Sequence, residues 1–158
     1  MNFLEGLAAE WYSYSGYFVR TNIKTRKRPK GGYDNEIDIL AYSPETKELI
    51  HLEASGDAAP WKKRKERFLK KKFVYSKDDY EKIVGEKIEC IKKIALVCFS
   101  KKPKANLDWG QGIEVLLVPV FIEEITTKLL AKSPQKEIVP EEYPLLRSIQ
   151  FAVHTKVR

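Results

Sequence analysis

The sequence predicts one α/β domain, a mixed sheet flanked by helices, and three observations carry that expectation. The 158 residues are 43% hydrophobic, which is enough to build a single core. Two runs, Glu36 to Tyr42 and Glu48 to Ala54, are rich in β-formers, while Ile94 to Phe99 and Ile113 to Val118 are compact apolar runs of the kind that form buried strands. Segments with helical spacing open and close the chain.

Phe3, Leu4, Leu7, Ala8 and Trp11 recur at i, i+3, i+4 spacing within Asn2 to Ser15, and Gly16 ends that first helix. From Tyr17 the pattern becomes extended, with Phe18 and Val19 leading towards Ile23. The basic stretch Lys24 to Lys30, with Pro29, Gly31 and Gly32 as breakers, is expected to form a loop. The two β-rich runs face each other across Ser43-Pro44-Glu45-Thr46-Lys47, whose proline and polar residues suit a hairpin turn. Trp61 to about Lys72 reads as a helix with a narrow apolar stripe of Trp61, Phe68 and Leu69. Ser76-Lys77-Asp78-Asp79 either caps a short helix reaching Val84 or forms a loop. After the two buried strands, Phe121, Ile122, Ile125 and Leu129 mark one helix, and Leu145, Leu146, Ile149, Ala152 and Val153 behind Pro144 mark another. The expected order is α-β-β-β-α-β-β-α-α.

No apolar run approaches the roughly 20 residues that span a bilayer. The start, Met1-Asn2-Phe3-Leu4-Glu5, has neither the basic opening nor the long apolar stretch of a signal peptide, so a cytoplasmic protein without membrane association is expected. Cys90 and Cys98 lack CxxC spacing and a nearby histidine, and are expected to be reduced core residues. The net charge of +7 is unevenly placed. Arg20 to Lys30 contains six basic residues and no acid (Arg20, Lys24, Arg26, Lys27, Arg28, Lys30), and Lys62 to Lys72 contains eight, Lys62, Lys63, Arg64 and Arg67 among them, against one acid. These segments together carry +13 and the remainder −6. Such clustering suits a polyanion, because phosphate contacts along a basic track release condensed counterions. A membrane surface or an acidic protein partner is the other reading of the charge, and two solvated surface segments the plainest.

Alternation places Glu36, Asp38 and Leu40 on one face of their strand and Ile37, Ile39 and Ala41 on the other. On the next strand His51, Glu53 and Ser55 share a face opposite Ile50, Leu52 and Ala54. If the hairpin is symmetric about the Glu45–Thr46 bond, paired residues have numbers summing to 91, and Asp38 meets Glu53. Opposed side chains have β-carbons about 4.5 to 5.5 Å apart, and two like charges there repel unless a cation lies between them. A divalent metal such as Mg2+ or Mn2+ fits that need, since hard cations take one or two carboxylates and leave positions for water and phosphate. A metal so placed suits phosphodiester hydrolysis. A nearby lysine satisfying both carboxylates is the plainer reading.

The runs Asn35-Glu36-Ile37-Asp38-Ile39-Leu40 and Leu49-Ile50-His51-Leu52-Glu53-Ala54-Ser55 resemble the D…(D/E)XK core of the PD-(D/E)XK, restriction-endonuclease-like nuclease superfamily. Gly16-Tyr17-Phe18-Val19-Arg20 resembles the approach to the first strand in Holliday-junction resolvase-like and Mrr-like members. The likeness covers roughly residues 3 to 56 in motif and the αβββαβ order through about residue 100. It implies a metal site of Asp38, Glu53 and a first-helix glutamate, Glu5 by position with Glu10 as the alternative. It also implies a nucleic-acid substrate, DNA in most relatives, and a homodimer by analogy with the resolvases. The sequence departs from the pattern at Ser55, where the family has a lysine that positions or activates water. Lys62 or Lys63 from the following helix, or His51 on the same face, are the candidates to replace it.

Three functions are therefore expected in order: a Mg2+- or Mn2+-dependent nuclease with Asp38, Glu53, Ser55 and Glu5 at its catalytic site, a nuclease-like fold that binds nucleic acid without catalysis, and a basic protein-interaction module. Tyr17, Trp61 and Phe73 are candidates for stacking on bases, and equally for the core.

Overall fold

The computed structural model describes residues 2–98 and 109–156. Helix α1 (Phe3–Tyr14) leads into three antiparallel strands, β1 (Phe18–Lys27), β2 (Tyr33–Ser43) and β3 (Glu48–Ser55). A helical crossover follows, made of α2 (Trp61–Arg67), a π-helical turn (Phe68–Lys72) and α3 (Lys77–Val84). Strands β4 (Cys90–Val97) and β5 (Ile113–Leu117) come next, and α4 (Val118–Leu130) and α5 (Pro144–Lys156) complete the described elements. The sheet order is β1-β2-β3-β4-β5, antiparallel over the first three strands and parallel over β3, β4 and β5. The protein is thus an α/β fold with a mixed sheet flanked by helices, as the alternation of strand and helix periods indicates.

Helices α1, α4 and α5 cover one face, where Leu7, Trp11, Phe121, Ile125, Leu129 and Leu146 pack on Ile39, Ala41, Ile50, Leu52, Ile94 and Leu96. The crossover covers the other face. There Tyr75, Tyr80 and Ile88 pack on Leu40, Tyr42 and Leu49, while Phe68, Phe73 and Trp109 pack on Ala95 and Val97. Local sequence accounts for the ends of these elements. Asn2 and Glu5 form a reciprocal capping box at the start of α1, and Ser76 and Asp79 do the same for α3, which is therefore a helix. Gly85 ends α3 at φ +82°, a left-handed position that glycine fills without a Cβ clash.

Four expectations are corrected. The basic stretch from Lys24 is strand as far as Lys27, paired through Lys24↔Glu36, Thr25↔Asn35 and Lys27↔Tyr33, and only Arg28 to Gly32 turns. Cross-strand pairing there overrides the local charge. Ile37 packs with Ile23, Leu40 and Tyr42 in the crossover-side cluster and not with Ile39 and Ala41, next to a break in regular β1–β2 pairing where Asn22, opposite Asp38, takes φ +52°. Strand β4 begins at Cys90, earlier than its apolar run, since its solvated first half still pairs with β3 through Glu48↔Cys90 and Leu49↔Ile91; Phe99 lies outside the described residues. Cys90 is exposed at that strand start and not in the core, while Cys98 is half-buried. Among the described residues no helix is long and apolar enough to cross a membrane.

Candidate functional site

The β2–β3 hairpin has the register expected from its turn. Ile39 pairs with Leu52, Leu40 with His51 and Ala41 with Ile50, each pair summing to 91. The ladder ends there, and one position on, side chains take over the bonding. The Asp38 N–H donates to Glu53 Oε1 at 3.3 Å, and the Ala54 N–H donates to Asp38 Oδ2 at 3.0 Å. Both carboxylates face the crossover side of the sheet and are buried, Glu53 completely.

The cation between them is Lys72, the last residue of the π-helical turn. Its Nζ lies 2.6 Å from Glu53 Oε2 and 3.3 Å from Asp38 Oδ1. The turn is closed by a Phe73 N–H to Phe68 carbonyl bond of 2.9 Å, one residue wider than an α-turn. Phe68 and Phe73 are buried on either side of the turn, which anchors Lys72 over the acids. Apart from this close contact with Lys72, Glu53 Oε2 has no polar partner among the described residues.

Behind Glu53 lies a buried relay. The Tyr80 hydroxyl and His51 Nδ1 are 2.6 Å apart, and His51 Nε2 lies 2.8 Å from Glu53 Oε1. A carboxylate can only accept, so His51 carries its proton on Nε2 and Tyr80 donates to Nδ1. The rings of Phe73, Tyr75 and Tyr80 meet the imidazole edge-on, at centroid separations of 4.8, 5.8 and 5.5 Å.

Burial sets the charges. It pushes the Asp38 carboxyl up to about 6, reinforced by Glu53 and opposed by Lys72 and the Ala54 N–H. Burial likewise raises Glu53 against the pull of Lys72. Desolvation works against charge on Lys72, but Glu53 and Asp38 outweigh it and raise the amine above its ordinary value. Burial drives His51 down to about 3, so it is neutral near pH 7. Two carboxyl groups, both raised by burial, thus face one ammonium.

Glu5 does not join this group. Its carboxylate accepts from Asn2 at the tip of α1, whose Leu4, Leu7, Ala8 and Trp11 pack on the opposite face of the sheet. Glu10, the alternative, caps α5 by accepting from the Leu145 and Leu146 N–H groups at 3.2 and 3.0 Å. The alternation pattern could not expose this, because which face a flanking helix covers is decided by packing. Lys62 and Lys63 are exposed on α2, and Lys72 is the lysine at the acids. Nothing in the run of eight basic residues singles it out. His51 is enclosed between Tyr80 and Glu53 and is fully buried. Tyr80 also carries no functional signal in the sequence.

Ser55 is buried at the end of β3. Its hydroxyl donates to Asp57 Oδ2 at 2.8 Å and accepts from Arg67 Nη2 at 2.9 Å, while Arg67 Nη2 and Asp57 Oδ2 are 2.5 Å apart. Although burial opposes it, the Ala59 N–H, Ser55 and Arg67 hold Asp57 below the usual carboxylate range.

The two basic segments border this region together. Arg26 Nη2 reaches the Val74 carbonyl at 3.4 Å and Asn35 Nδ2 the Lys71 carbonyl at 3.2 Å, which ties the outer end of the β1–β2 ribbon to the crossover. Several of the arginines are engaged within the fold. Arg20 donates to the Ile83 carbonyl, Arg28 pairs with Asp34, and Arg64 is buried with its guanidinium 5.2 Å from the Trp61 ring. Lys24, Lys27, Lys30, Lys62 and Lys63 are exposed. Of the three candidate stacking rings, Tyr17 donates to Glu48, Trp61 meets Trp109 edge-on and Phe73 is buried against His51.

No family model matches this chain, and no curated protein matches it. Among solved structures, one described as "Crystal Structure of Protein of Unknown Function AF1548" is similar over 97% of this chain and 98% of that one, at 14% identity and a TM-score of 0.46.

Proposed function

We propose that the protein is a divalent-metal-dependent nuclease that hydrolyses phosphodiester bonds of DNA at the Asp38–Glu53 pair, with Lys72 as the lysine absent from position 55. The observation that carries this reading is the position of Lys72 Nζ, 2.6 Å from Glu53 and 3.3 Å from Asp38. The donor set fits Mg2+ or Mn2+ in kind: Glu53 Oε2 and Asp38 Oδ1 are hard oxygen donors that converge on one cation, Lys72. Asp38 and Glu53 would hold the ion, which would supply the Lewis acidity that makes water nucleophilic near neutral pH.

The chain's own residues supply the rest. In the hydrolysis the water oxygen joins phosphorus, the bond to the departing sugar oxygen breaks with its electron pair, and that oxygen gains a proton as the water loses one. Lys72 is held charged by its two carboxylates, so it acts as a donor, to the water or to a phosphate oxygen, and not as a base. His51 and the Asp38 N–H fix Glu53 Oε1, leaving Oε2 directed at the cation position. The exposed lysines of β1 and α2 would grip the phosphodiester backbone on either side.

A second reading, a nucleic-acid-binding protein with no turnover, is favoured by the complete burial of Glu53 under Lys72, which already satisfies much of the acid charge. One experiment separates the two. Labelled DNA is incubated with the protein in Mg2+, Mn2+ or chelator, and binding is measured in parallel without metal. The nuclease reading expects cleavage only with metal, abolished in Asp38→Asn and Lys72→Met while metal-free binding persists. Binding without cleavage in either metal, or equal cleavage by Asp38→Asn, would reject it.

A further inference from the structure

Position 55 shares the strand face of His51 and Glu53, and the alternation of β3 places its side chain about 7 Å along the strand from that of Glu53. A serine there leaves no charge on the strand. The space beside it nevertheless holds a guanidinium, that of Arg67, at 2.9 Å from the serine oxygen. The acid pair is therefore flanked by two cations from one crossover, Lys72 at the gap between the carboxylates and Arg67 at the end of the strand.

The two cations differ in what they have left to give. Lys72 is committed to Glu53 and Asp38. Arg67 spends Nη2 on Ser55 and Asp57, and among the described residues its Nε and Nη1 make no hydrogen bond. Its side chain is 38% exposed and that of Asp57 40%, so both are open to a ligand. The guanidinium lies 5.7 Å from the Phe68 ring, whose burial sets where the fork can point. Asp57 is positioned independently, because its other oxygen accepts the Ala59 N–H at 2.9 Å. A carboxylate and a phosphodiester present similar oxygen pairs to an arginine fork, so either can occupy it.

Resting on the nuclease reading, we propose that Arg67 is a phosphate-binding residue of the site, held by Asp57 in the free protein, and that a nucleic-acid phosphodiester next to the acid pair displaces Asp57 from it. Asp57 is then a competitor for the substrate as well as an anchor. This has a consequence that a purely structural ion pair lacks: removing the acid strengthens substrate binding, and only through Arg67.

The test is a mutant cycle read by metal-free binding of a fluorescein-labelled DNA oligonucleotide at fixed salt and by cleavage in Mn2+. Asp57→Asn is expected to tighten binding several-fold and Arg67→Ala to weaken it several-fold. The double variant should bind like Arg67→Ala, with the gain gone. Glu66→Gln, one residue away in α2, controls for the general effect of removing a negative charge. Arg67→Ala should also lower cleavage in Mn2+, in keeping with its weaker binding. Thermal unfolding of each variant identifies any that fail to fold, and Arg67→Lys then serves in place of Arg67→Ala, with partial retention of binding expected. If Asp57→Asn tightens binding no more than Glu66→Gln, or keeps its gain without Arg67, the proposal is overturned. Wild-type cleavage with Arg67→Ala fully active overturns the Arg67 role alone, whereas no wild-type cleavage in any metal overturns the nuclease reading and this inference with it.

Discussion

Asp38→Asn should stabilise the protein near neutral pH while removing the charge the proposed chemistry needs. The Asp38 carboxyl is lifted by burial from an ordinary 3.8 to about 6. The folded protein therefore binds that proton more tightly than the unfolded chain does. Its contribution to stability is fully present below pH 3.8 and is lost as pH rises through about 6. At about 1.4 kcal/mol per pH unit, the ionised carboxylate costs about 3 kcal/mol above pH 6, with the attraction of Lys72 already included. Asparagine is nearly isosteric, stays neutral, and its side-chain oxygen can still accept the Ala54 N–H that Asp38 Oδ2 accepts at 3.0 Å. The variant should gain about 1 to 3 kcal/mol at pH 7.5, or about 2 to 4 °C in Tm for each kcal/mol in a domain of this size. Urea or thermal unfolding from pH 4 to 8 tests it. The wild type should lose stability relative to the variant between about pH 4 and 6, and the two should converge at pH 4. An Asp38→Asn variant less stable than wild type at pH 7.5 would refute the reasoning, because it would mean that the ion pair with Lys72 outweighs the burial of the carboxylate.

Two further expectations concern the relay and the basic face. Tyr80→Phe leaves His51 Nδ1 buried without a donor and should cost about 1 to 3 kcal/mol in unfolding experiments; undiminished stability would show that the hydroxyl does not satisfy the imidazole. Replacing Lys24, Lys27 and Lys30 together with alanine should lower the slope of log affinity for DNA against log salt by up to about 3, at about 0.9 per phosphate contact on duplex DNA. An unchanged slope would place the ribbon end outside the interface.

What could be read from the sequence was whatever depends on local period and on the turn. Strand alternation has a period of two, and a polar turn of four residues, Pro44 to Lys47, sets the register of the strands it joins, so the meeting of Asp38 and Glu53 was legible before any tertiary contact was known. Helical spacing likewise placed α1, α4 and α5, and the capping residues offered the start of α3 with a loop as the alternative. What the tertiary structure alone decided was which distant groups share that sheet face. Alternation does not say which side a helix covers, and this removed Glu5 and Glu10 from the site and put them to work as caps. Composition marked Lys62 to Lys72 as basic, but only the π-helical turn, anchored by Phe68 and Phe73, delivers Lys72 rather than Lys62 or Lys63 to the acids. The charge states are decided in the same way. Asp38, His51 and Glu53 owe their altered proton affinities to water excluded by side chains far away in the chain, and desolvation is a property of the packed environment that no local pattern of residues encodes.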